Sequence, residues 1–152
     1  MNAAGVIWQD TANGTGIRTS LFVSGCRRHC KGCHNEKMWD FGYGTPFDEE
    51  LKEDIIRSLE PEWVSGLSVL GGEPFEPENE KELVPFLRSV RERLPGKSIW
   101  IYSGFTYEEL ESQGHEMLGL CDVLVDGPYV ESLRNISLPF RGSENQTFHF
   151  FS

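Results

Sequence analysis

The chain has 152 residues, a formal net charge of −10 and a sequence pI near 4.8, which is length enough for one domain with a real hydrophobic core. Acidic residues gather in 48–53, 73–82 and 108–111 as solvated helix faces, and no basic stripe of the kind that neutralises phosphates is present, which argues against nucleic acid as a partner. No stretch nears the roughly 20 apolar residues that span a bilayer, and the first residues lack the basic start and apolar run of a signal peptide, so the expected location is the reducing cytoplasm, away from membranes, where thiols stay available for metal.

Residues 5–24 read as two short strands around a turn. Val6-Ile7-Trp8 is apolar, Asn13-Gly14-Thr15-Gly16 is turn chemistry, and Leu21-Phe22-Val23 is a buried strand. A cysteine segment, residues 25–35, follows directly. Leu51, Ile55 and Leu59 then stand at helical spacing in 48–59, with Thr45-Pro46 as the start signal. Leu67-Ser68-Val69-Leu70 is a strand ending in Gly71-Gly72-Glu73-Pro74. Leu83, Leu87, Val90 and Leu94 mark a helix stopped by Pro95-Gly96, which Pro85 either kinks or enters in its first turn. Residues 98–102 form a strand, Thr106 and Glu109 a capping box for a helix ending near Gly114, and residues 122–126 the next strand.

Strands separated by helices imply right-handed βαβ units and a mainly parallel sheet. A complete eight-stranded barrel takes about 250 residues, so the expectation is one α/β domain over residues 1–152, a partial, open α/β barrel. In such folds the site lies at the C-terminal ends of the strands. The cysteine loop, Gly71-Gly72-Glu73-Pro74, Ser103-Gly104 and Asp126-Gly127-Pro128-Tyr129 each follow a strand, and should therefore converge on one face.

Cys26, Cys30 and Cys33 crowd three thiolate ligands into eight residues, a set that selects zinc, copper(I) or an iron–sulfur centre. Gly25 and Gly32 favour a loop wrapped around something over a helix. A four-iron cubane held by three cysteines keeps one corner open for a substrate or cofactor, which suits radical chemistry. Cys30-Lys31-Gly32-Cys33-His34 also fits a haem-attachment pattern, but haem attachment goes with export and leaves Cys26 unexplained. Zinc is the stronger rival, closed by His29 or His34; it does not account for Gly71-Gly72-Glu73-Pro74. In that loop two glycines let backbone approach a ligand closely, and the exposed carbonyls and the Glu73 carboxylate can accept bonds from a ligand ammonium. Arg27, Arg28, His29 and Lys31 place positive charge beside an anionic cluster, where it could also dock an acidic electron donor. Cys121 reads as a buried small hydrophobe; His115 and His149 read as structural, and Phe148-His149-Phe150-Phe151 as a packed tail.

The run Gly14-x-Gly16-x-Arg18-x3-Phe22-x2-Gly25-Cys26-x3-Cys30-x2-Cys33-x-Asn35 resembles the signature of the glycyl-radical activating enzymes, members of the radical S-adenosylmethionine (SAM) superfamily. Gly71-Gly72-Glu73-Pro74 is similar to that superfamily's motif for the SAM amino group. Tyr102-Ser103-Gly104-Phe105-Thr106, Asp126-Gly127-Pro128-Tyr129 and Arg141-Gly142-Ser143-x-Asn145-Gln146 narrow the resemblance to the activators of anaerobic (class III) ribonucleoside-triphosphate reductase, over about residues 5–146. The resemblance implies an oxidoreductase with a radical SAM barrel in which Cys26, Cys30 and Cys33 ligate a [4Fe-4S] cluster and SAM chelates the fourth iron. It implies that Gly71, Gly72, Glu73 and Pro74 bind SAM and that Ser103 or Asp126 contacts its ribose or carboxylate. Reduced flavodoxin or a similar donor would supply the electron. A 5'-deoxyadenosyl radical would then take hydrogen from a glycine of the reductase large subunit. Arg141, Asn145 and Gln146 match the pattern without a role that their chemistry alone suggests.

Overall fold

The computed structural model describes residues 1–30, 32–33, 36–135 and 137–151; Lys31, His34 and Asn35 of the sequence motif lie outside them. The chain opens with a hairpin of β1 (Asn2–Asp10) and β2 (Ile17–Val23), paired antiparallel from Ala3 opposite Val23 to Asp10 opposite Arg18. Asp10 shapes its turn: the carboxylate accepts bonds from the Ala12 N–H (2.8 Å), Asn13 Nδ2 (2.6 Å) and Ser20 Oγ (2.7 Å). Burial alone would raise the pKa of Asp10, but these three donors together hold it below the usual carboxylate value.

Thr45-Pro46, expected to start a helix, instead forms the short edge strand β3 (Thr45–Pro46) against β1. An edge position tolerates the missing proline N–H. Asp48 is the cap: α1 (Glu49–Leu59) begins where its carboxylate accepts the Leu51 N–H at 2.9 Å. The parallel strands β4 (Val64–Gly71), β5 (Ser98–Tyr102) and β6 (Val123–Asp126) alternate with α2 (Pro77–Arg93) and α3 (Tyr107–Gln113). α2 starts on Pro77 as its first residue, so Pro85 sits in the helix interior, on the exposed side; the carbonyl of Lys81 that loses a partner there belongs to an exposed residue that water can serve. Thr106 caps α3 by accepting the Glu109 N–H (3.2 Å), and Gly114 ends it at φ +70°.

The seven strands among the described residues join one open sheet in the order β3-β1-β2-β4-β5-β6-β7. The mainly parallel sheet of the sequence reading is thus mixed. β2, β4, β5 and β6 run parallel at its centre, while β1, β3 and β7 (Thr147–Phe150) are antiparallel on its flanks. β7 is the aromatic tail, which pairs with β6 from Thr147 opposite Asp126 to Phe150 opposite Val123.

Alternation along the strands sorts the two faces. Leu21, Val23, Leu67, Val69, Ile99, Ile101 and Leu124 pack with Ile55, Leu59, Leu83, Leu87, Val90 and Leu110 of the helices, each fully buried aliphatic side chain contributing about 1.5–3 kcal/mol relative to exposure. On the other face Trp100, Val123 and Val125 meet Tyr102, Phe140 and Phe148. Cys121 belongs to the first core: it is buried, its thiol lies 3.5 Å from the Leu118 carbonyl, and burial pushes its pKa up to about 12.

Candidate functional site

The four loops expected to meet do meet. Cys26, Cys30 and Cys33 after β2, Gly71, Gly72 and Glu73 at the end of β4, Ser103 and Gly104 after β5, and Gly127 and Tyr129 after β6 line one cavity of about 370 Å³, within the range of small-ligand sites. The connection from β6 to β7 closes its far wall with Phe140, Arg141 and Gln146.

The cysteine segment is a wrapping loop: Gly25, His29 and Gly32 all have positive φ, at +108°, +48° and +77°. His29, a non-glycine in that region, is exposed and stacks on Trp39 with ring centroids 4.3 Å apart. All three cysteines have intermediate exposure, and among the described residues none forms a disulfide. Burial raises the pKa of Cys26 while the backbone N–H groups of Arg28 and His29 act in the opposite sense, an arrangement that favours a thiolate ligand once a metal displaces the proton. Among the described residues no three His, Cys, Asp or Glu side chains converge as a single metal ion needs. A cubane offers its irons at separate corners, so three half-buried thiols along one cavity wall suit it by their chemistry.

The glycine loop is built against the cysteine loop. The Gly72 N–H donates to Val23 O and the Glu73 N–H to Gly25 O, both at 2.8 Å. A Cβ on Gly72 would come within 2.6 Å of Gly25 O and 2.7 Å of Met38 O, and one on Gly71 (φ +113°) within 2.6 Å of the Val23 backbone. Asn79, fully buried, ties the two loops again by donating to Ser24 O (3.1 Å) and Glu73 O (2.9 Å). A polar residue at the start of an amphipathic helix gave no signal of that role.

Glu73 lines the cavity but its carboxylate is engaged by its own chain: it accepts the Phe75 N–H (3.0 Å), Ser103 Oγ (2.8 Å) and the Gly104 N–H (2.7 Å). Burial nevertheless raises its pKa to about 7, with those donors and the Arg28 charge opposing. Pro74 is not part of the cavity wall, and neither is Asp126. The Asp126 carboxylate, expected at the ligand, turns back to the Tyr107 N–H (2.5 Å), Thr147 Oγ1 (2.5 Å) and His149 Nε2 (3.0 Å), because the antiparallel β7 offers it partners that the sequence reading lacked. Arg27, expected to carry free positive charge, is paired with Glu76 and Glu78. Arg28 lies at the cavity, over the Phe105 ring, with its Nη2 3.6 Å from a Glu109 carboxylate oxygen.

Arg18 sits fully buried in the β2–β4–β5 region. Its Nε donates to Ser68 Oγ (2.8 Å), Nη1 to Thr15 O (3.1 Å) and Ser98 Oγ (3.0 Å), and Nη2 to Leu67 O (2.9 Å) and Ser98 O (3.0 Å). Gly14 makes room, since a Cβ there would lie 2.6 Å from Arg18 Cδ. The Gly14-x-Gly16-x-Arg18 run is therefore a fastening of the hairpin turn, whose Ala12 and Asn13 reach the cavity. Three buried polar atoms of the cavity wall have no partner among the described residues: Arg28 Nε, Tyr102 OH and Arg141 Nε. Such atoms call for acceptors; for Arg28 and Tyr102, SAM, with a carboxylate, two ribose hydroxyls and purine nitrogens, carries them.

Residues 12–149, which include the three-cysteine loop at the carboxyl end of a parallel strand, match the family described as 4Fe-4S single cluster domain, the class of single-cluster iron–sulfur proteins. The relatives are more specific. The anaerobic ribonucleoside-triphosphate reductase-activating protein of Haemophilus influenzae is 42% identical over 144 residues, 93% of each chain. That of Escherichia coli K12 is 38% identical over 142 residues, 92% of each, and that of Enterobacteria phage T4 36% over 137 residues, 90% of this chain and 86% of the phage protein. The chain belongs to the anaerobic ribonucleoside-triphosphate reductase-activating protein family.

Proposed function

We propose that this protein generates the glycyl radical of an anaerobic ribonucleoside-triphosphate reductase, as a radical SAM enzyme working in the cytoplasm with reduced flavodoxin or a similar donor. The observation that carries the reading is the backbone seam between two loops: Gly72 packs on Gly25, so the cysteine triad and Gly71-Gly72-Glu73 face the same space. The parallel strands β2, β4, β5 and β6, with loops converging at their carboxyl ends, support a partial radical SAM barrel as one domain.

In this reading Cys26, Cys30 and Cys33 would hold a [4Fe-4S] cluster. Cluster and SAM together would supply radical chemistry, a 5'-deoxyadenosyl radical for hydrogen abstraction from a glycine of the reductase large subunit. The chain's own residues bind and orient. Backbone at Gly71 and Gly72 would accept bonds from the SAM ammonium, with Pro74 setting the turn that follows. Glu73 offers negative charge there and keeps Ser103 and Gly104 in register. Ser103 lies within the wall, where it would contact a ribose or carboxylate. Asp126 acts at one remove, anchoring the β6 loop to α3 and β7. Arg28 and Tyr102 carry donors without a partner among the described residues in the same wall.

The test is electron paramagnetic resonance on anaerobically reconstituted, dithionite-reduced protein with and without SAM. A [4Fe-4S]+ signal that changes on adding SAM is expected, and Cys30→Ala should abolish 5'-deoxyadenosine formation. A colourless protein carrying stoichiometric zinc, indifferent to SAM, would overturn the proposal.

A further inference from the structure

Two guanidinium groups of this chain lie against aromatic rings on the helix-free face, and they differ in one respect. Arg18, 5.4 Å from the centre of the Trp100 ring, has each of its three nitrogens donating to carbonyl or hydroxyl oxygen of its own chain. Arg141, 5.3 Å from the centre of Phe148, makes one such bond, Nη1 to Gln146 O at 2.8 Å. Its Nε is buried without an acceptor, and among the described residues no carboxylate forms an ion pair with it. A guanidinium has five N–H donors and nothing else to offer, so Arg141 faces the cavity with donors in hand.

The surrounding loop is built to keep it there. Gln146 Oε1 accepts the N–H groups of Gly142 (2.8 Å) and Ser143 (3.0 Å), while its Nε2 donates to Gly127 O (3.0 Å). Asn145 Nδ2 donates to Pro128 O (2.8 Å), and Ser143 Oγ donates to Asn145 Oδ1 (2.6 Å). Arg141-Gly142-Ser143-x-Asn145-Gln146 is thus a brace that clamps the loop after β6 and presents one side chain, the preorganisation expected of a binding residue rather than of a surface cation.

Position decides what it binds. Gly71–Glu73 stand at the end of β4 and Arg141 lies in the connection that follows β6, two strand spacings or about 10 Å across the sheet. The end of a ligand gripped by Gly71–Glu73 does not extend its charged group that far. A polypeptide segment entering the cavity mouth presents a carbonyl at every residue, and a planar fork suits two of them. We infer that Arg141 is a substrate-binding residue that takes backbone carbonyl oxygens of the incoming polypeptide, doing for that chain what Arg18 does for its own. The inference rests on the reading above that the substrate is a glycine-bearing segment of the reductase.

The experiment compares wild type, R141M and R141K, reconstituted anaerobically. Three quantities are read: affinity for a synthetic peptide spanning the reductase's reactive glycine, the KM for the reductase in radical formation, and 5'-deoxyadenosine release with dithionite and no reductase. R141M should weaken peptide binding roughly tenfold or more and raise the KM in step, the size expected for losing charge-assisted bonds. Release without the reductase should stay within about twofold. R141K, a point charge without the fork, should recover only part of the affinity, and it carries the test if thermal melting finds R141M unfolded. Unchanged peptide affinity would overturn the inference, as would a parallel loss of 5'-deoxyadenosine release, which would return Arg141 to the cofactor. Wild type that releases none sinks the proposed function instead, while the peptide arm still decides Arg141.

Discussion

Arg18→Met replaces a fully buried cation by an apolar side chain of similar length. The substitution strips donors from the carbonyls of Thr15, Leu67 and Ser98 and from the hydroxyls of Ser68 and Ser98. Ser68 Oγ keeps its own bond to Asn13 O at 2.5 Å, so the loss falls mainly on three carbonyls at about 1 kcal/mol each or more, plus the contact with Trp100. Against this stands the desolvation of the guanidinium, which pulls its pKa down to about 10 yet leaves it protonated at neutral pH. The net expectation is about 3 kcal/mol of destabilisation, read as a shift in urea midpoint at constant slope on cluster-free protein. R18K should fall between, since an ammonium cannot reach five acceptors. An R18M protein within 1 kcal/mol of wild type would mean that the apolar isostere serves as well, and that the signature arginine is not there for the fold.

Gly72→Ala should destabilise the apo protein by about 1–3 kcal/mol through overpacking against Gly25 O and Met38 O, and lower iron retained after reconstitution; normal iron content would refute the seam between the loops. Glu73 gives a pH dependence. Its folded-state pKa of about 7 lies above the unfolded 4.5, so the native state holds the proton longer and stability falls as pH rises from about 4.5 to 7, by at most about 3 kcal/mol. In Glu73→Gln that component should vanish, leaving the cluster-free variant flatter than wild type across this window in urea titrations; identical pH profiles would refute the burial argument. Cys121→Ala should cost about 1 kcal/mol or slightly more and leave iron content unchanged, whereas a fall in iron would make the buried thiol a ligand.

The four converging loops were legible because each carries glycine at a strand end, and strand order then leaves little freedom. Helix termini were legible where one side chain decides them, as Thr106 does for α3; Thr45-Pro46 misled because proline serves an edge strand as well as a helix start. β7 was missed since Thr147–Phe150 alternates too briefly and packs through partners brought from β6. With it went the surroundings of Asp126, which no local pattern reveals. Asn79 and Arg18 were opaque for a related reason: their bonds span 55 and 80 positions along the chain, and sequence spacing carries no trace of a contact made by tertiary folding.

The seam at Gly72 and Gly25 has a thermodynamic consequence. Two loops that share backbone hydrogen bonds and leave no space for a methyl group between them lose their freedom together. In the proposed reading, a group bound first at the cysteines would remove conformational entropy that a ligand at Gly71–Glu73 would no longer have to lose, and the second event would be tighter without any change of shape. Linkage makes the gain mutual: the factor by which the thiol-bound group sharpens affinity at the glycines is the factor by which the glycine-bound ligand slows loss of that group. An occupied cavity is in this sense a guard on the metal.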